Sequence, residues 1–200
     1  MADGPLLLVT LREVLRSLDD LDAAYMLVGG VALAAWARPR ATTDLDLVIA
    51  VPAEDLPAVG KLLGRRVGGL SSMRPFRFRD GTTLQRVLVQ RPEGEVTVDL
   101  ILADTAFLAA ALRRRVPRTL GDLEAHVATP EDLAVMKLQA GRGQDLVDVR
   151  SLAEAQQLDM AYLRRWTTRL RLRSRLARAL VPGRRRRRER QPGRREPRPK

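Results

Sequence analysis

The sequence predicts an α+β fold: a small mixed β-sheet flanked by helices, followed by a helical carboxy-terminal region. Three observations predict it. Two short apolar runs, YMLV at residues 25–28 and LDLVIAV at 45–51, read as strands separated by helix-forming VALAAWA. Residues 75–102 alternate, turn through Pro and Gly, and alternate again, as a β-hairpin does. From Thr129 onward only helical spacing is found.

The elements follow in order. Residues 6–18 carry Leu and Val at helical spacing and stop at Asp19-Asp20. The strand YMLV is halted by Gly29-Gly30, and the alanines and leucine after it favour a short helix. Pro52 opens a helix over residues 53–67, a position where proline loses no helical hydrogen bond. The hairpin is FRFRDGTTLQRVLVQ, then RPEGE, then VTVDLILAD, and residues 105–115 form another short helix. Strands are expected to stop at residues 116–128. Thr129 with Asp132 three residues on caps a helix running to Gly141, and two more helices cover QDLVDVRSLAEAQ and DMAYLRRWTTRLRLRSRLARALV. The expected organisation is residues 1–116 as an α+β domain, 117–181 as a helical region and 182–200 as a disordered basic tail.

Two hundred residues with a hydrophobic fraction of 45% suffice for a real core. The chain has no cysteine, which excludes disulfides, thiolate metal sites and a cysteine nucleophile. The amino terminus lacks a basic signal-peptide start, and no apolar run approaches the ~20 residues that span a bilayer, so a cytoplasmic protein with no membrane partner is expected. The net charge of +12 suggests a polyanionic partner until it is located: residues 183–200 hold ten Arg or Lys against two Glu, leaving +4 on the rest.

Asp44 and Asp46 stand two apart in a strand, so they point to one face about 7 Å apart. A bare pair of this kind is a weak signal, since a solvated strand edge produces the same pattern. Three features strengthen it. Gly29-Gly30 lie upstream at a strand-to-helix turn, where backbone N–H groups without a Cβ suit a phosphate. Asp99 interrupts an apolar run, and a lone carboxylate in a buried strand costs several kcal/mol unless it is paired or meets a cation. The connection between them, with Arg38, Arg40, Thr42 and Thr43, is basic and hydroxylated. Three carboxylates with phosphate donors are the parts of a divalent-metal site for phosphoryl or nucleotidyl transfer.

The pattern GG, 13 residues, DLD, then a distant Asp in a strand resembles the nucleotidyltransferase superfamily related to DNA polymerase β. TPEDLAVMKLQAGRGQDLVDVRSLAEAQ is similar to the carboxy-terminal signature of its AbiEii-like members, which include toxins of type IV toxin-antitoxin pairs. The resemblance covers roughly residues 21–158 and implies a nucleotidyltransferase fold. It implies two Mg²⁺ ions bound by Asp44, Asp46 and Asp99, an NTP as donor, and Gly29 and Gly30 holding its phosphates. Arg40 is the expected side-chain phosphate donor, with Arg38 equal to it by reach. The resemblance also favours Lys137 as a phosphate or base contact across the cleft, with Asp145 oriented toward it. The ordinary alternative for Lys137 is a snorkelling surface lysine. Many superfamily members have Ser or Thr after the first glycine, where this chain has Gly30 and Val31.

The implied reaction moves a nucleoside monophosphate to a hydroxyl of tRNA or another RNA, of a protein, or of a small molecule such as an aminoglycoside. An antitoxin is the implied protein partner. The rival from another class is a non-catalytic RNA- or partner-binding module on the same fold. His126, the only histidine, reads as a surface or packing residue in a loop, and Trp36 as a core aromatic. The basic last helix and the arginine-rich tail fit RNA phosphates or plain solvation equally.

Overall fold

The apolar faces read from the sequence converge on one sheet. The structure is a computed structural model that describes residues 4–37, 41–66 and 69–181. Helix α1 (Gly4–Asp19) turns Leu11, Val14, Leu15 and Leu18 inward, and β1 (Ala24–Val28) runs directly into α2 (Gly29–Ala34). Then come β2 (Asp44–Ala50), α3 (Leu56–Arg66), β3 (Gly69–Ser72) and β4 (Phe76–Arg77). The hairpin is β5 (Thr83–Arg91) and β6 (Gly94–Leu102), followed by α4 (Ala106–Arg113). The second half holds β7 (Val116–Leu120), β8 (Leu123–Val127), α5 (Pro130–Ala140), α6 (Gly143–Ala155), α7 (Met160–Arg169) and α8 (Arg173–Leu180).

The sheet is mixed, in the order β3-β5-β6-β2-β1-β8-β7, with β4 paired to the edge of β5. β2 is antiparallel to β1 but parallel to β6, so its carboxylates come level with a strand that follows some fifty residues later in the chain. Gln85 of β5 fills the space that a Cβ on Gly60 of α3 would take. Its neighbour Arg86 points to the opposite face, so α3 and the acidic residues lie on different sides.

One expectation is corrected here. Residues 116–128, expected to be free of strands, form the β7–β8 hairpin, which joins the sheet through a parallel pairing of Leu27 with Val127. Pro117 argues against a strand by its missing N–H, and an edge strand tolerates that loss. His126 accordingly lies on β8, not in a loop, and packs edge-on against Tyr25 with ring centroids 5.9 Å apart. The α+β class stands. The tail and Arg38 and Arg40 lie outside the described residues, and no described helix is long and apolar enough to cross a membrane.

Several local signals act as read. Thr129 accepts the backbone N–H of Asp132, with Pro130 in the first turn, and Gly141 ends α5 at φ 68°, the left-handed region that glycine enters without strain. Trp36 lies just past α2 and donates its indole N–H to Ala128 O at 2.9 Å. It is a packing residue.

Candidate active site

The parallel pairing of β2 with β6 sets Asp46 level with Asp99, and β1 on the other side sets Val28 against Asp46. Just after Val28 the chain turns at Gly29, whose φ is +64°. A Cβ built on Gly29 would stand 1.9 Å from Asp46 Oδ2, so the carboxylate rests on bare backbone. Gly30 is needed for a different reason: its Cβ would meet Thr42 Oγ1 at 2.8 Å. The glycine pair thus packs one carboxylate and one threonine against the start of α2.

Asp44 is exposed at the head of β2, Asp46 is half-buried and Asp99 is buried. Burial pushes the Asp46 carboxyl up to about 6, and the negative charges of Asp99 and then Asp44 push the same way. The positive charges of Lys137 and Arg142 pull it back less strongly. Among the described residues the Asp46 carboxylate accepts no hydrogen bond, and the Asp44 carboxylate accepts only a long one from Thr43 Oγ1 at 3.4 Å. Asp99 differs. Arg86 grips both its oxygens, Nε to Oδ1 and Nη2 to Oδ2, each at 2.8 Å. That fork fixes the carboxylate plane and holds the Arg86 guanidinium more firmly protonated.

A second charged group comes from the helical half. Lys137 on α5 is buried, with Nζ 2.8 Å from Asp148 Oδ2 and 3.4 Å from Asp145 Oδ1. Asp145 also accepts the backbone N–H of Arg142 at 3.0 Å and its Nε at 2.9 Å, closing the turn between α5 and α6. Lys137 is therefore not a snorkelling surface side chain: its charge is held inside by two carboxylates.

The family model described as nucleotidyl transferase AbiEii toxin, type IV TA system, matches residues 12–198. The chain belongs to this family. It is a nucleotidyltransferase by family, and its fold agrees. An antigenic nucleotidyltransferase-like protein from Paracoccidioides brasiliensis aligns at TM-score 0.51 and 18% identity, over 86% of this chain and 91% of its own. ANT(2″)-Ia in complex with adenylyl-2″-tobramycin aligns at TM-score 0.52 and 16% identity, over 83% and 97%. A candidate nucleotidyltransferase from Thermotoga maritima aligns at 0.51 and 13%, over 83% and 95%. No curated protein matches the chain.

In this member of the AbiEii family the structure brings Asp44, Asp46 and Asp99 onto neighbouring strands beside Gly29, and joins Lys137 to Asp145. Arg40 falls outside the described residues. Among the described residues no group of three or more His, Asp or Glu is arranged to hold a metal. The donor set explains why. Asp44 and Asp46 offer the hard oxygens that Mg²⁺ takes, and their repulsion favours a cation, but Asp99 already has one in Arg86. Arg86 is the residue that reading the sequence missed. A signal for it existed: Arg91 pairs with Gly94 across the two-residue Pro92-Glu93 turn, and counting outward pairs Asp99 with Arg86.

Proposed function

We propose that the protein is a Mg²⁺-dependent nucleotidyltransferase that moves a nucleoside monophosphate from an NTP to a hydroxyl acceptor. In this reading it is the toxin of a cytoplasmic type IV pair with an antitoxin partner. The observation that carries the proposal is the Asp46–Asp99 register on β2 and β6, with Asp44 two residues away and Asp46 lacking a donor among the described residues. Two Mg²⁺ ions, held by Asp44 and Asp46 and by Asp99 once Arg86 lets go, would supply charge neutralisation of the triphosphate and activation of the acceptor hydroxyl.

The chain's own groups divide the remaining work. Gly29 and Gly30 open α2, and their backbone N–H groups suit the β- and γ-phosphates. Lys137 and Arg142, whose charges reach Asp46, lie on the helical half and suit the far side of the nucleotide, with Asp145 positioning both. The acceptor oxygen bonds to the α-phosphorus, and the bond from that phosphorus to the β-phosphate bridging oxygen breaks. The hydroxyl proton passes to a carboxylate and then to water, and pyrophosphate leaves. Asp99, level with Asp46 on the neighbouring strand, is the carboxylate best placed by register to face the acceptor.

The test is incubation of the protein with each α-labelled NTP and Mg²⁺ against total RNA, cell protein and aminoglycosides, with pyrophosphate release followed in parallel. Label is expected on one acceptor class, lost with Asp46→Ala and with chelator. Absence of pyrophosphate release with every NTP overturns the reading.

A further inference from the structure

Three phenylalanines occur in the chain, and two of them face water. Phe107 is 2% exposed in the core, whereas Phe76 and Phe78 are 42% and 47% exposed and Met73 is 48% exposed. All three exposed residues lie on one short ribbon, MRPFRFR, around β4. Arg74, Arg77 and Arg79 interleave with them, all exposed and without an ion pair among the described residues.

Register places this ribbon relative to the acids. Phe76 pairs with Leu84, and Leu84 with Ile101; Arg86, two residues on in β5, pairs with Asp99, which is level with Asp46. Paired residues, and residues two apart in a strand, share a face. Phe76 thus stands on the carboxylates' face of the sheet, one row along, about 7 Å in the strand direction, and three strand spacings, about 14 Å, across the sheet from β2. Phe78 sits edge-on to Phe76 with centroids 4.7 Å apart, so both rings lie together, and Met73 donates its backbone N–H to Arg86 O at 2.9 Å. The ribbon is continuous with the catalytic row.

We propose that this ribbon is the acceptor platform of the site: an unpaired polynucleotide strand stacks its bases on Phe76 and Phe78, lays its phosphates on Arg74, Arg77 and Arg79, and presents a hydroxyl toward Asp99. Exposed aromatic rings alternating with cations are what such a strand needs, because every base has a π-face and every link a negative charge. A polycationic aminoglycoside would meet three unpaired arginines. An apolar protein surface would cover the rings and strand the same charges. The inference rests on the nucleotidyltransferase reading above and assigns its acceptor.

The experiment is photo-crosslinking of the full chain to 4-thiouridine RNA and 4-thiothymidine DNA oligonucleotides of one sequence, with the modified peptide mapped. Binding of the same strands to wild type and to the Phe76→Ala/Phe78→Ala variant is measured alongside. Crosslinks within residues 73–79 and a loss of affinity of about 10-fold or more in the variant are expected, and the tighter of the two strands names the sugar. Because both rings are exposed, the variant should melt with wild type. Crosslinks confined to residues 183–200, unchanged affinity in the variant, or an acidic protein displaced by the variant while polynucleotide binding persists would each overturn the platform. Pyrophosphate release by the wild type is scored separately. A platform without release refutes the enzyme reading alone, and release without the platform refutes only this inference.

Discussion

Asp132 and Asp46 are both drawn into the protein, and the molecule treats them in opposite ways. Asp132, in the first turn of α5, is fully buried with donors on both oxygens. The Tyr162 hydroxyl bonds Oδ1, while Thr129 Oγ1 at 2.7 Å and Arg114 Nε at 3.1 Å bond Oδ2. Arg114 also lies 3.8 Å from the Tyr162 ring centroid, and burial followed by the bond to Asp132 raises the Tyr162 hydroxyl above its usual range. Asp46 has no donor among the described residues and two negative neighbours. The first arrangement satisfies a buried charge and ties α4, α5 and α7 together. The second keeps negative charge that no described donor bonds, which is what the proposed metal site calls for. A local rule broken in one place and kept in another marks the broken place as functional.

The largest test of that contrast is Asp132→Ala, which takes the acceptor from two buried hydroxyls, those of Tyr162 and Thr129, and the partner from the exposed Arg114 guanidinium. Stability should fall by about 2–4 kcal/mol, the cost of two buried hydroxyls left without an acceptor, read from urea unfolding, with a smaller loss for Asp132→Asn. Unfolding no easier than wild type would erase the difference between the two sites. Asp46→Asn should act the other way round. Pyrophosphate release is expected to drop about 100-fold or more, while the unfolding midpoint holds or rises, because repulsion with Asp99 and Asp44 is relieved.

The pH dependence of metal-free protein sharpens the same point. Asp46 titrates near 6 when folded against an ordinary 3.8, so between these values the folded state holds a proton that the unfolded chain has released. Its contribution to stability is therefore greatest below pH 4 and declines as pH rises through 6, by about 2–3 kcal/mol. In Asp46→Asn that decline should vanish, and Mg²⁺ at pH 7 should raise the melting temperature of wild type but not of the variant. A decline that persists in Asp46→Asn belongs to other groups. The smallest effect is expected at Arg118, whose guanidinium lies 4.0 Å from the Trp36 ring centroid. Arg118→Ala should cost about 0.5–1 kcal/mol and leave pyrophosphate release alone.

Much of the site was legible because its signals are local. Asp44 and Asp46 share a face by the two-residue period of a strand, Asp99 stands out as a charge in an apolar run, and Thr129, Pro130 and Gly141 mark both ends of α5. Arg86 was legible in principle, by counting through the turn, but an arginine in an alternating strand looks like any solvent-facing residue. The β7–β8 hairpin was obscured by Pro117 at an edge. That Lys137 is buried between Asp145 and Asp148 depends on how α6 folds back on α5, which no single-helix pattern encodes.

From the sequence alone came the α+β class, the acidic trio, the glycine pair and the family resemblance, because periodicity, turn chemistry and capping act over a few residues. Only the tertiary structure decided that β2 lies parallel to β6, that Arg86 claims Asp99, that Asp46 has no donor among the described residues, and that two phenylalanines are stranded on the acids' face of the sheet. Those outcomes depend on register between strands distant in the chain. Charge compensation and shared faces are properties of that pairing, not of either strand by itself.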